Sequence, residues 1–251
     1  MSGKYNFGKR HLKTPKFYYF KYIMENINKK TYWKKIFLLN DFFVSQLLSN
    51  RKKMYKIFQN YIPTNEETKI LDIGTTPSLE EHENYLVHQY KWKKNLTCLS
   101  NEDCSILKSK YNELTLLIGD GREVSLADSS FDIVYSNATI EHVGNSANQI
   151  NFIKECVRLS RSKIFISMPN RYFPIDFHSK IPLIHMLPKN IHRRILKLFG
   201  ENFFRYEENL NLIGKKDLIL FCNKLNIKKF KIISHKLLFF ASNIILIIEK
   251  E

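Results

Sequence analysis

Between residues 69 and 170 five short apolar runs recur, each closed by a polar or glycine-containing turn. They are Lys69–Ile73 (KILDI), Leu96–Leu99 (LTCL), Leu114–Ile118 (LTLLI), Phe131–Tyr135 (FDIVY) and Ile164–Met168 (IFISM). Runs this short read as strands. Helically spaced segments separate some of them: Ser146–Leu159 places Ile150, Ile153 and Val157 on one face. Short buried strands alternating with helices are the pattern of a parallel, doubly wound α/β sheet. Further helices are expected near 190–199 and 217–225, and two late strands near Lys229–Ser234 and Ile244–Glu249. The Leu237–Phe240 stretch between those strands (LLFF) is expected to pack against its neighbours.

The flanks differ from this centre. Tyr32–Tyr61 reads as helix, with Trp33, Ile36, Phe37, Asn40, Phe43, Val44, Leu47 and Leu48 at three- and four-residue spacing, and Pro63 and Thr64 end it. Residues 1–68 therefore form a helical, basic and aromatic extension or cap, and 69–251 the α/β domain. A proline-punctuated insert, about 170–212, is placed as a lid. Of the formal charge of +16, the first 69 residues hold 15 Lys/Arg against 4 Asp/Glu. A basic arm suits an anionic partner, such as nucleic acid, a membrane surface or a phosphorylated substrate. Solvated faces enriched in lysine are the alternative. Phe17, Tyr18, Tyr19, Phe20 and Tyr22 interleave with Lys16 and Lys21, which favours a cap over a cleft above base stacking. No motif of a dedicated nucleic-acid module is present.

The cysteines Cys98, Cys104, Cys156 and Cys222 form no CxxC pair, so neither a zinc site nor a redox motif is expected. Scattered thiols fit a reducing cytoplasm. The N-terminus is too polar for a signal peptide. The apolar stretch Ile232–Ile248 is interrupted by His235, Lys236 and Asn243, which argues against a membrane span. The expected location is cytoplasmic, with room for peripheral membrane contact through the amphipathic helix carrying Arg193, Arg194 and Lys197.

The segment KILDIGTTPSLEE places a strand, an acid and a glycine turn before an expected helix. In an open parallel sheet the ligand sits at the carboxyl ends of the strands. Gly74 permits close backbone approach, and Asp72 can organise the turn. Further on, LLIGDGREV ends a strand with Asp120 between two glycines, where an acid can accept from an exocyclic amine and Gly121 leaves room for a flat ring. DSSFDIVYSNATIEHV then brings Glu141 and His142 after a strand.

The order of ILDIG, LTCLSNED, IGDGREVSLADSSFDIVYSNATIEHV and KIFISMPN resembles class I S-adenosylmethionine-dependent methyltransferases of the small "type 11" sort. The resemblance covers about residues 66–170. It extends to about 250 through PNRYFPIDFHSKIPLIHMLP and RYEENLNLIGKKDL, which are similar to a bacterial subgroup of these enzymes. It implies a Rossmann-like sheet of seven strands in the order 3-2-1-4-5-7-6, with the last antiparallel, and S-adenosylmethionine as cofactor. By the same resemblance Asp72, Gly74 and Thr75 belong to the cofactor loop, and Asp120 and Gly121 lie beside the adenine. Asn137 lines the methionine end, and Glu141 and His142 stand near the transferable methyl. Two departures stand out. The usual three-glycine loop reads Gly74-Thr75-Thr76-Pro77-Ser78, and the usual ribose-binding acid is replaced by Ser100, with Glu102 two residues later.

His142 reads either as a base or as a hydrogen-bonded structural histidine. Arg171, Asp176 and His178 follow the fifth strand at the ligand-facing edge and are expected to serve the lid or substrate pocket. His178 and His185, with prolines between them, are not expected to pair on a metal, and no metal is expected. The acceptor is expected to be a small metabolite or a lipid or glycan intermediate. The rival is a non-catalytic, basic RNA- or membrane-surface-binding protein on the same fold.

Overall fold

The computed structural model describes residues 40–176, 178–179, 181–237 and 239–250. The arm carrying the Phe17–Tyr22 cluster, and the expected helix before Asn40, lie outside the described residues. The sheet is built from β1 (Ile70–Ile73), β2 (Leu96–Ser100), β3 (Thr115–Ile118), β4 (Phe131–Asn137), β5 (Ser160–Pro169), β6 (Phe230–Leu237) and β7 (Phe240–Glu249). Its order is β3-β2-β1-β4-β5-β7-β6, with β7 antiparallel to both neighbours and β1 to β5 parallel. This is the order that the resemblance implies, and each of the seven expected strands is present.

Every residue of β1 is buried, as a central strand covered on both faces requires. On one face α3 (Ser146–Leu159) contributes Phe152, Ile153 and Cys156, and α5 (Lys215–Lys224) contributes Leu218 and Phe221, against Leu71, Ile73, Val134 and Ile166. Asn145 caps α3 by accepting from Asn148 N at 3.0 Å, satisfying one of the donors that a helix start leaves without a partner. On the other face α1 (Asn40–Tyr61) lays Met54, Phe58 and Ile62 on Ile70, Ile133, Tyr135, Phe165 and Ile245. The Phe58 ring meets Tyr135 and Phe165 edge-on, at 5.3 and 5.4 Å between centroids.

The buried spacing of α1 is thus Asn50, Met54, Phe58 and Ile62, downstream of the apolar positions that the sequence pattern picks out. Leu47 and Leu48 are only partly buried. Because this helix is core, the expected boundary at 68/69 falls inside one packed unit, which runs from Asn40 to Glu251. Asn50 Nδ2 donates to Asn243 Oδ1 on β7 at 2.5 Å, tying the helix to the last strand.

The Leu237–Phe240 expectation needs correction. Phe239 and Phe240 form the tip of the β6–β7 hairpin, and Phe239 is 90% exposed. A turn between two antiparallel neighbours projects past the sheet and has no layer to pack under. The first turn also differs from its expectation. No long helix follows it; an irregular segment leads to the five-residue α2 (Tyr85–Gln89). In the insert, α4 spans Lys189–Leu198. Among the described residues no helix is long and apolar enough to cross a membrane.

Candidate functional site

β1 is flanked by β2 on one side and β4 on the other, so the sheet's connections diverge at its carboxyl end. A crevice opens at that point in such folds. Here it is lined by Asp72, Gly74, Thr75, Glu83, Asn84, Tyr85, Tyr135 and Asn137.

Gly74 has φ +97°, and a Cβ there would stand 1.9 Å from Thr139 Oγ1. The turn after β1 and the turn after β4 therefore touch at a point where only glycine fits. Thr75 Oγ1 donates to Asp72 Oδ2 at 3.1 Å. Asn84, 4% exposed, then braces the rest of the loop. Its Oδ1 accepts from Thr76 N at 3.0 Å and Thr76 Oγ1 at 3.2 Å, and its Nδ2 donates to Thr76 O at 2.8 Å and Ser78 O at 2.7 Å. A loop lacking two of the usual glycines is shaped instead by one asparagine's four hydrogen bonds.

Arg51 reaches Asn137 at the crevice wall from α1. Its Nε donates to His82 O at 3.3 Å and its Nη1 to Asn137 Oδ1. Asn137 Oδ1 also accepts from Ser167 Oγ at 2.7 Å. Burial holds the guanidinium below its ordinary value, opposed by Tyr135, Glu141, Glu83 and Asp72. Sequence reading missed Arg51, Glu83 and Asn84. The available signal for Arg51 was its position beside Asn50, at the edge of the buried face of α1.

The residues expected on the adenosyl side are placed as follows. Ser100, buried, accepts from Glu102 N at 3.1 Å, so its oxygen shapes its own turn. Glu102 is partly exposed. Asp120, at the end of β3, is about half exposed and is held by Arg122, whose Nη2 lies 2.5 Å from Oδ2. Hydrogen bonds from Arg122 hold the Asp120 carboxyl below its usual value. Gly121 is closely packed. A Cβ there would lie 2.7 Å from Ile73 Cγ2 and 3.0 Å from Phe152 Cε2. Close packing of α3 on β1 requires a glycine at this position.

Past β4 the chain makes a tight turn, Ile140–His142. Glu141 is 1% exposed, its carboxylate Oε1 lies 3.9 Å from His142 Nε2, and its backbone oxygen accepts from Asn211 N at 2.7 Å. His142 Nδ1 is 2.7 Å from Asn209 O. The insert brings His178 onto this pair: the two imidazoles meet edge to face at 5.0 Å between centroids. His178 Nδ1 is 3.1 Å from Asp176 Oδ1. Asp176, 3% exposed, also accepts from the His178 and Ser179 backbone amides and from Ser179 Oγ at 2.6 Å. Burial works against its charge, yet these donors hold its carboxyl well below the usual range. Asp176 and His178 thus join Glu141 and His142. Arg171 does not: its Nη2 donates to Leu187 O at 2.6 Å, and it lines a separate small pocket with His185, Lys189 and His192.

A family profile described as "Methyltransferase domain" matches residues 80–166, about a third of the chain. No curated protein sequence matches this chain. Among solved structures, a protein from Pyrococcus horikoshii is similar at TM-score 0.54 and 14% identity, over 95% of this chain and 100% of that one. A SAM-dependent methyltransferase from Thermotoga maritima, described as a possible histamine N-methyltransferase, is similar at 0.52 and 13%, over 94% and 100%. A SAM-dependent methyltransferase from Archaeoglobus fulgidus is similar at 0.51 and 16%, over 80% and 94%. The fold is the Rossmann-like fold of these neighbours, two of which are described as dependent on S-adenosylmethionine. The crevice suits that molecule chemically. Its amino-acid end carries one ammonium and one carboxylate; the carboxylates of Asp72 and Glu83 line the crevice, and the buried guanidinium of Arg51 lies within reach of their charges.

Proposed function

We propose that this chain, which combines the class I methyltransferase fold with a matching methyltransferase domain, transfers a methyl group to a small metabolite or to a lipid or glycan intermediate. The observation that carries the reading is the charge set at the crevice between β1 and β4: Asp72 and Glu83 in its lining, and Arg51 bonded to its Asn137. S-adenosylmethionine, when bound, supplies an electrophilic methyl on a sulfonium.

The chain's own residues divide the remaining work. Asp72 and Glu83 accept from the ammonium, and Arg51 donates to the carboxylate. The Gly74–Thr76 turn lets the backbone come close. Asn137 lines the methionine end, while Asp120 and the Ser100–Glu102 turn meet the adenosyl part. Glu141, His142, Asp176 and His178 stand on the acceptor side, where the insert covers them. Aligning an acceptor with an electrophilic methyl provides much of the acceleration in such a transfer. The expected compartment is the cytoplasm.

Calorimetric titration with S-adenosylmethionine tests the reading. Binding is expected, weakened about 10- to 100-fold in Arg51→Gln, the loss of a hydrogen bond from a charged group. A folded wild-type protein that binds no S-adenosylmethionine, but binds anionic polymer with strong salt dependence, would favour the non-catalytic basic-surface reading instead.

A further inference from the structure

We propose that Glu141, His142 and His178 form a binding site for a divalent transition-metal ion of the zinc, iron or manganese kind. One ligand atom from each lies within 4.8 Å of the others. The residues come from two separate segments, the turn after β4 and the insert, and the fold brings them to one point. His178 was set against His185 in the sequence; the structure sets it against Glu141 and His142 instead.

The hydrogen bonds around the histidines carry the argument. A carbonyl oxygen only accepts, so the contact from His142 Nδ1 to Asn209 O requires a proton on Nδ1. The His178 Nδ1 contact to the Asp176 carboxylate requires the same. In each neutral ring the lone pair then resides on Nε2, the tautomer that a metal ligand needs. A histidine whose second nitrogen is anchored to a carboxylate or a backbone carbonyl is the usual support for a metal ligand. Asp176 is itself fixed by Ser179 and by two backbone amides.

The distances point the same way. His142 Nε2 and Glu141 Oε1 stand 3.9 Å apart. Two ligands on a tetrahedral ion at about 2.1 Å stand about 3.4 Å apart, so small rotamer shifts close the set. Two imidazoles and one carboxylate suit zinc, iron or manganese better than calcium or magnesium. Three protein ligands also leave coordination open for water or an acceptor oxygen.

The test is Zn²⁺ binding to the full chain by calorimetry and by metal content after gel filtration, without S-adenosylmethionine. Failure of cofactor binding and failure of metal binding are then separate results. One Zn²⁺ per chain is expected. Glu141→Gln and His178→Gln should each weaken it at least about 100-fold, and Asp176→Asn about 10- to 100-fold, the usual loss for a supporting residue. If Glu141→Gln does not fold, His178→Gln, at a partly exposed position, decides alone. Folded wild type taking up none of Zn²⁺, Mn²⁺ or Fe²⁺ would overturn the proposal. So would uptake that is unchanged in folded His178→Gln.

Discussion

Replacing Gly74 by alanine isolates the contact between the two turns that shape the crevice. The backbone there has φ +97°, and the new Cβ would lie 1.9 Å from Thr139 Oγ1, 2.7 Å from Cγ2 and 2.8 Å from Cβ. The left-handed backbone alone costs an L-residue roughly 1–2 kcal/mol. Forcing a methyl into a packed contact adds about 1–3 kcal/mol. Thr139 cannot yield cheaply, because its Oγ1 also donates to Ile73 O at 3.2 Å. The expected loss is about 2–5 kcal/mol, which at about 2–4 °C per kcal/mol lowers Tm by about 10 °C. Gly74→Ala/Thr139→Ala should recover only part of this: Oγ1 and Cγ2 are gone, but the Thr139 Cβ position and the backbone strain remain. Thermal unfolding and calorimetry with S-adenosylmethionine read both effects. A Tm within about 3 °C of wild type, with cofactor affinity retained, would refute the claim that the turns meet at a glycine-only point.

Phe58→Ala should cost about 3–5 kcal/mol in chemical denaturation, because the ring is 1% exposed between Tyr135 and Phe165; a loss under 1 kcal/mol would place α1 outside the core. His192, buried beside His185, Arg171 and Arg193 with Asp176 opposing them, is lowered by burial from 6.5 to about 4. The unfolded chain then binds more protons between those values, so stability should rise with pH from about 4 to 6.5, by up to about 2 kcal/mol after solvent screening. His192→Gln should flatten that rise, and an unchanged slope would exclude His192 as its source. Asp120→Ala should weaken S-adenosylmethionine by about 1 kcal/mol, the low end for a lost hydrogen-bond partner, since the carboxylate is half exposed and already paired with Arg122; unchanged calorimetric affinity would remove it from the adenosyl side.

The sheet was legible because its signal is local. Each strand is a short apolar run, and Ser146–Leu159 shows its helical periodicity in the sequence. Arg51 and Asn84 were not legible, because their roles depend on where a helix and a loop are carried. RKK reads as solvated charge until Phe58 and Ile62 turn the helix and deliver Arg51 to Asn137. The Glu141, His142 and His178 grouping was hidden in the same way, since spacing along the insert says nothing of where the insert folds back.

The seam between α1 and β7 bears on how the chain reaches this state during synthesis. Asn50 and Asn243, 193 positions apart, are bonded inside the protein. β6 joins the sheet only through β7, which is made after it. One face of the core therefore stays open until β7 has left the ribosome, with Phe58 and Met54 waiting for Ile245 and Ile247. Such long-range closure slows folding and prolongs exposure of apolar surface to aggregation. Removing β7 should yield insoluble protein rather than a smaller domain.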